Sequence, residues 1–167
     1  MYRRLEGFFE LVVANAQHIK TVPGRKTDVQ DAEWITDLLQ HGLLTASFVP
    51  SQEQQELRDL TRLRARLVQE RGRLVNRVQK VLEEAGIKLS VVLSDVMGKS
   101  GRAILEALCA GEHDPQRLVQ RMHPNCQVSR QEAIGALTGD IREHHRFVLR
   151  ELLRLIDAQD LSIKHLE

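Results

Sequence analysis

One stretch of the chain predicts a single helix that is longer than any other element. Apolar residues recur at helical spacing from residue 52 to about residue 85. Ser51 is followed three residues later by Gln54, the pattern of a capping box, and Gly86 is a typical helix stop. Gly72 costs about 1 kcal/mol relative to alanine in mid-helix, so it indicates a close helix crossing or a bend.

The apolar residues of this helix form a stripe that needs a partner. They recur every seven residues, at Leu60, Leu67, Leu74 and Val81. Arg64 and Arg71, however, occupy positions that a strict parallel coiled coil keeps apolar. The pattern favours an antiparallel hairpin with the apolar stripe at residues 141–156, or a homo-oligomer formed through residues 51–86.

The same helix concentrates the positive charge of the chain. Between residues 58 and 80, eight basic residues stand against Asp59 and Glu70, a local net charge of +6 in a chain whose total is +1. They are Arg58, Arg62, Arg64, Arg66, Arg71, Arg73, Arg77 and Lys80. Arginine binds phosphate through two parallel hydrogen bonds, and no aromatic residues are interleaved for stacking on single-stranded bases. The pattern favours the backbone of duplex DNA or structured RNA, with a solvated helix face as the alternative.

Two aspartates open the preceding helix, in the segment PGRKTDVQDAEW (residues 23–34). Asp28 and Asp31 are three residues apart and therefore share one helix face. Both acids could serve only to favour the positive end of the helix dipole. The functional alternative is a Mg²⁺ site, since Mg²⁺ takes hard carboxylate oxygens, and Arg25 and Lys26 just ahead suit a phosphate backbone.

Only one segment has a convincing strand pattern, FFELVVANA at residues 8–16. Its nearly continuous apolar run is typical of a strand covered on both faces, which needs neighbouring strands to satisfy its backbone. Shorter helices are predicted for the remainder, at about residues 101–110, 115–122, 130–138 and 140–160. We therefore expect a mostly α fold with one residual strand, in a chain that begins inside a larger domain.

The remaining motifs favour no further site. Cys109 and Cys126 are the only cysteines, and their spacing with nearby histidines departs from common zinc sites. The segment GKSGRAILEAL at residues 98–108 lacks the first glycine of a phosphate-binding loop, and Ser100 is predicted to cap a helix there. No disulfide framework and no apolar run of membrane-spanning length is present, so a reducing cytoplasm is expected.

Two long segments carry a resemblance to a known family. They are LEGFFELVVANAQHIKTVPGRKTDVQDAEWITDLLQHGLL and LRDLTRLRARLVQERGRLVNRVQKVLEEAGIKLSVVLSDVMGKSGRAILEALCAG. Together they resemble the DEDD-type insertion-sequence transposases, which are relatives of the pilin-gene inversion recombinases. The resemblance covers about residues 5–111 and is most specific in PGRKTDxxDA.

The resemblance implies a ribonuclease H-like domain whose four acids hold Mg²⁺. Asp28 and Asp31 match the last two of these acids, the strand at residues 8–15 resembles the last strand of the sheet, and the helical middle is similar to the family's coiled-coil region. Members also carry a separate domain with a nucleophilic serine, and members studied as systems pair donor and target DNA with a structured guide RNA. The other two acids and the serine domain have no counterpart here, so a truncated copy that is inactive alone is expected.

These observations together predict three segments. Residues 1–48 would be the remnant of a ribonuclease H-like α/β domain, residues 51–111 a long basic helix in a hairpin or coiled-coil region, and residues 112–167 a helical tail. The predicted function is that of a transposase fragment, with metal-dependent DNA cleavage and joining in the intact bacterial protein. The alternatives are a non-catalytic helical dimerisation or nucleic-acid-binding module that regulates an intact transposase, and an unrelated helical adaptor with a basic face.

Overall fold

The chain is mostly helical and divides into two compact units, residues 1–56 and residues 57–167. The computed structural model describes residues 2–17, 28–124, 126 and 128–167. The helices are α1 (Tyr2–Leu5), α2 (Asp28–Gln40), α3 (Gln52–Glu84), α4 (Leu89–Val92), α5 (Lys99–Cys109), α6 (Pro115–Val119), α7 (Arg130–Leu137) and α8 (Glu143–His165). The mostly α fold and the longer predicted helices are thereby confirmed.

The strand expected at residues 8–16 is wrong in extent. In the part of the chain that the structure describes, this segment makes one isolated antiparallel bridge, between Ala14 and Ala46. Beside it, the N–H of Ser47 donates to the carbonyl oxygen of Val13 at 2.6 Å. The apolar run predicts a strand buried on both faces, but Val13 and its neighbour Val12 are exposed. This bridge and an isolated parallel one between Glu6 and Phe9 therefore replace the expected ladder.

α3 begins and ends where the local sequence predicts. The hydroxyl of Ser51 accepts the N–H of Gln54 at 3.3 Å, and the Gln54 side chain accepts the N–H of Ser51 at 3.2 Å, so the capping box is formed. At the other end Gly86 has φ +81°, and the N–H of Ile87 donates to the carbonyl oxygen of Leu82 at 2.8 Å. This is a Schellman ending, in which a glycine in the left-handed region reverses the chain.

α3 and α8 lie side by side and run antiparallel. Arg71 forms an ion pair with Asp160, and Arg64 pairs with Glu167 at 2.5 Å. A step back of seven residues, from Arg71 to Arg64, thus corresponds to a step forward of seven residues, from Asp160 to Glu167. This relation is the one expected for antiparallel helices. The intrachain hairpin predicted from the two apolar stripes is confirmed.

The apolar core of the second unit lies where the C-terminal half of α3 meets the later helices. Its buried members are Val78, Leu82, Ile87, Leu89, Val92, Leu93, Val96, Ile104, Leu105, Ala107, Leu108, Leu118, Ala133, Leu137, Leu149, Leu152, Leu153 and Ile156. They come from both sides of residue 111, so the helical tail shares one core with the end of the long helix. In the first unit, by contrast, Leu38 is the one buried side chain among those that the structure describes.

Two local predictions fail. Ser100 is not the cap of α5, because α5 already begins at Lys99; its hydroxyl instead accepts the N–H of His123 at 2.9 Å. Gly72 does not mark a close helix crossing, since a Cβ there would meet no atom within 4 Å among the described residues.

None of the described helices combines the length and the apolar character that a membrane-spanning helix requires.

The two helical glycines at positions 72 and 101 provide a matched stability test. Gly72→Ala adds a methyl group in open space, so it should stabilise the protein by about 0.5–1 kcal/mol through helix propensity. Gly101→Ala would drive its Cβ into the carbonyl oxygen of Val96, so it should destabilise by about 1–3 kcal/mol. Urea unfolding followed by circular dichroism measures both, and equal effects of the two substitutions would contradict the packing described here.

A buried histidine stabilises the start of α8. His145 is 5% exposed, and its Nδ1 accepts the N–H of Arg142 at 3.2 Å, which requires a neutral ring. Burial, His144 and Arg142 lower the pKa of His145, whereas Glu84 and Asp140 act in the opposite direction. The pKa is therefore lower in the folded protein than in the unfolded chain, where it is about 6.5.

Stability should consequently depend on pH through His145. Because the folded-state pKa is depressed, the contribution is complete above about pH 6.5 and is lost as the pH falls through the folded-state pKa. The thermal midpoint should fall between about pH 7 and about pH 5, and His145→Gln should flatten that dependence. His165→Gln, at an exposed histidine near the other end of α8, is the control, and a parent with a flat profile would rule out the coupling.

Candidate nucleic-acid interface

The basic side chains of α3 are divided between two opposite sides of the helix. At about 100° per residue, six of them fall within one arc of about 100°. These six, Arg58, Arg62, Arg66, Arg73, Arg77 and Lys80, are called the basic stripe below. Arg64 and Arg71 lie at least about 120° beyond either edge of that arc, on the side that packs against α8.

The two arginines outside the stripe have partners within the chain. Arg71 is half-buried, and its hydrogen bond to Asp160 raises its pKa above the ordinary value. Arg64 donates to Glu167 at 2.5 Å. Their positive charge is thus offset by Asp160 and Glu167, which leaves the six residues of the basic stripe as candidates for the predicted nucleic-acid contact.

The basic stripe itself is unpaired. All six side chains are exposed, and none makes a hydrogen bond or ion pair with another residue in the described ranges. Asp59 lies at the edge of the arc, and Glu70 is turned toward α8, where the Gln159 side chain donates to it at 3.4 Å. The stripe extends over about 33 Å, at 1.5 Å for each of the residues between Arg58 and Lys80.

The apolar side of α3 extends further than α8 covers it. Arg64 pairs with Glu167, which lies just past His165, the last helical residue of α8. Leu57, Leu60 and Leu63 precede this point on α3 and are 63%, 53% and 46% exposed. The N-terminal part of α3 therefore presents leucines to solvent on the face that is buried further along.

The predicted acid pair stands at the beginning of α2. Asp28 is the first residue of this helix and Asp31 the fourth, so their backbone positions are one turn apart. Arg25 and Lys26 lie outside the described residues. Two carboxylates at this spacing suit Mg²⁺, which takes one or two carboxylates and completes its coordination with water and phosphate.

Among the described residues, no three His, Cys, Asp or Glu side chains group around a common point where a metal ion could be held. Cys109 and Cys126 are free thiols, each half-buried. Burial raises the pKa of the Cys109 thiol, so this thiol is less reactive than an exposed one.

Sequence reasoning missed the division of the eight basic residues into two sets. The signal was present, because Arg64 and Arg71 interrupt the apolar seam and so had to face the partner helix. The acids that pair with them, Glu167 and Asp160, are about 90–100 positions away along the chain. Their identity becomes evident only once the register of α3 on α8 is known.

Comparison with known proteins identifies the family of this chain. A model of the DEDD transposases of the IS110 type, described as transposase, matches residues 4–87, which is half of the chain. No curated protein and no solved structure matches the chain. The matched range includes the acid pair of α2 and the whole basic stripe of α3, and the chain belongs to the IS110-type DEDD transposase family.

Proposed function

We propose that this chain acts on DNA in transposition, with Asp28 and Asp31 as two of the acids that hold Mg²⁺ in the intact protein. One observation carries the proposal: the range matched by the transposase family includes both an acid pair at a helix start and a helix with an unpaired basic face. A protein that cleaves and joins DNA strands with the help of metal ions needs carboxylates to bind the metal and cations to bind the phosphates.

The spacing of the acids suits this role. Asp28 and Asp31 supply hard oxygen ligands from consecutive turns of α2, and the DNA phosphate supplies further oxygens. When bound, Mg²⁺ stabilises the charge on the attacking and leaving oxygens of a phosphodiester. Arg25 and Lys26, immediately ahead of α2 in the sequence, would hold the neighbouring phosphates.

Metal binding at the acid pair can be tested by NMR. On titration with Mn²⁺, the backbone amide signals of residues 28–34 should broaden first, because paramagnetic broadening is strongest near the bound ion. The Asp28→Asn/Asp31→Asn variant should need at least about tenfold more Mn²⁺ for the same broadening, since direct ligands matter at least as much as outer-shell groups.

Asp37→Asn provides the control for this experiment. Asp37 lies on the same helix, nine residues after Asp28 and thus on its opposite side. The control should titrate like the parent. Broadening that starts elsewhere in the chain, or that survives unchanged in the double variant, would exclude the acid pair as the metal site.

A second role is favoured by the exposed leucines of α3. We propose that Leu57, Leu60 and Leu63 join two copies of the chain, because their face continues the one that α8 covers further along. Such an assembly would also serve a non-catalytic chain that regulates an intact transposase by forming mixed oligomers. Leucines at helical spacing are the usual contacts between associating helices.

Light scattering coupled to gel filtration tests this association. The parent should be a dimer at tens of micromolar, and Leu60→Gln/Leu63→Gln should shift it to a monomer, because burial of each leucine is worth about 1.5–3 kcal/mol. Leu155→Gln/Leu161→Gln, at two exposed leucines of α8, should leave the dimer intact. A parent that is monomeric at this concentration would contradict the proposal.

A further inference from the structure

The basic stripe has the dimensions of one turn of a nucleic-acid duplex. It extends over about 33 Å along α3, and one turn of B-DNA measures about 34–36 Å over about 10 base pairs. A straight helix laid along a duplex can therefore keep its first and last cations, Arg58 and Lys80, within reach of phosphates through a whole turn. The arc of about 100° is narrow enough for all six side chains to face one partner.

The charge on this face is available to a partner. A solvated helix surface typically mixes cations with acids that pair with them three or four residues away. Within the arc of the basic stripe the intervening positions are uncharged, as at Gln69; Asp59 lies at its edge, and Glu70, which accepts from Gln159, lies about 20° beyond it. The acids that could have neutralised arginines of this helix, Glu167 and Asp160, are held by Arg64 and Arg71 on the other side.

The chemistry of the stripe favours a duplex over a single strand. α3 contains no aromatic residue between Gln52 and Glu84, so it offers no platform on which unpaired bases could stack. Five of the six cations are arginines, which grip phosphate oxygens in pairs, and phosphate contacts position a duplex without reading its bases. A partner recognised in this way is bound through its backbone, independently of its sequence.

We propose that the basic stripe of α3 is a docking surface for the phosphate backbone of about one turn of double-stranded DNA. The choice of DNA over RNA rests on the proposed function, whereas the docking surface itself rests on the geometry of α3. It adds to that function a site outside the acid pair, one that positions the duplex and takes no part in the chemistry.

Two variants with the same net charge distinguish an effect of the basic stripe from an effect of the net charge of the protein. Arg62→Gln/Arg73→Gln removes two cations from the stripe, and Arg64→Gln/Arg71→Gln removes two cations from the opposite side of the same helix. Glutamine keeps a good helix former at each position. Circular dichroism establishes that each variant is as helical as the parent. The second variant also loses two ion pairs, and with them their contribution to stability.

Fluorescence anisotropy with labelled duplexes of unrelated sequence over a range of NaCl concentrations provides the measurement. Log affinity should fall linearly with log salt, by about 0.9 for each phosphate contacted. The stripe variant should bind at least about tenfold more weakly at 0.1 M salt, with a slope shallower by about 1.8. The control variant should keep the slope of the parent.

The length and kind of duplex test the assignment of the partner. Affinity should rise with duplex length until about 10 base pairs. Beyond that length it should grow only with the number of equivalent positions at which the protein can bind along the duplex. An RNA duplex of the same length should bind more weakly, because the A-form helix presents its phosphates at a different pitch. Tighter binding of the RNA duplex would overturn the assignment to DNA.

Three other results would overturn the docking surface. They are equal losses in the two double variants, full affinity for a duplex of half a turn, and no duplex binding by the parent. Each of these is independent of the Mn²⁺ titration at Asp28 and Asp31, so the surface can fail while the metal-binding proposal stands. DNA binding that persists unchanged in the stripe variant would likewise place DNA elsewhere on the chain and leave the transposase role intact.

Discussion

The antiparallel packing of α3 on α8 is the constraint on which the second unit depends. Val78 and Leu82 of α3 belong to the same buried core as Leu149 and Ile156 of α8, and the shorter helices complete that core. Because one side of α3 faces α8, the opposite side faces solvent. This arrangement explains the distribution of charge around α3: a cation on the side that faces α8 needs a neighbouring acid, whereas a cation on the solvent side does not.

The arginines of α3 show how position decides the role of a residue type. Arg64 and Arg71 fix the register of the hairpin, since Arg71 pairs with Asp160 on α8 and Arg64 pairs with Glu167 just past its end. Exposed ion pairs of this kind contribute up to about 1 kcal/mol each, so they align helices that apolar burial already holds together. The outer arginines have no such ion pairs within the described ranges, so they remain available for the DNA contact that we propose.

Local signals in the sequence were sufficient for the helices. Ser51, Gln54 and Gly86 determine where α3 begins and ends through bonds to residues at most five positions away, and such signals can be recognised without a structure. The strand at residues 8–16 could not be predicted correctly, because an apolar run indicates burial but not the partner that provides it.

The candidate sites were predictable to different degrees. The basic character of α3 was evident from composition, whereas its division into two sides required the register on α8. The acid pair of α2 was ambiguous from spacing alone, since acids are common in a first helical turn, and only the family resemblance favoured a metal site. The cap that His145 provides was missed, because its contact with Arg142 depends on burial by other helices.

The continuity of α3 has a consequence for how the length of this helix can vary among relatives. Each inserted or deleted residue rotates everything before it by about 100° relative to everything after it. A single insertion between Arg66 and Arg73 would place half of the basic stripe around the side of the helix, although no residue had been substituted. Seven residues fall only about 20° short of two full turns, so a change by whole heptads preserves both faces. We therefore expect relatives that keep both faces to differ in the length of this helix by whole heptads, so the number of residues between its two ends is as informative as the identity of its side chains.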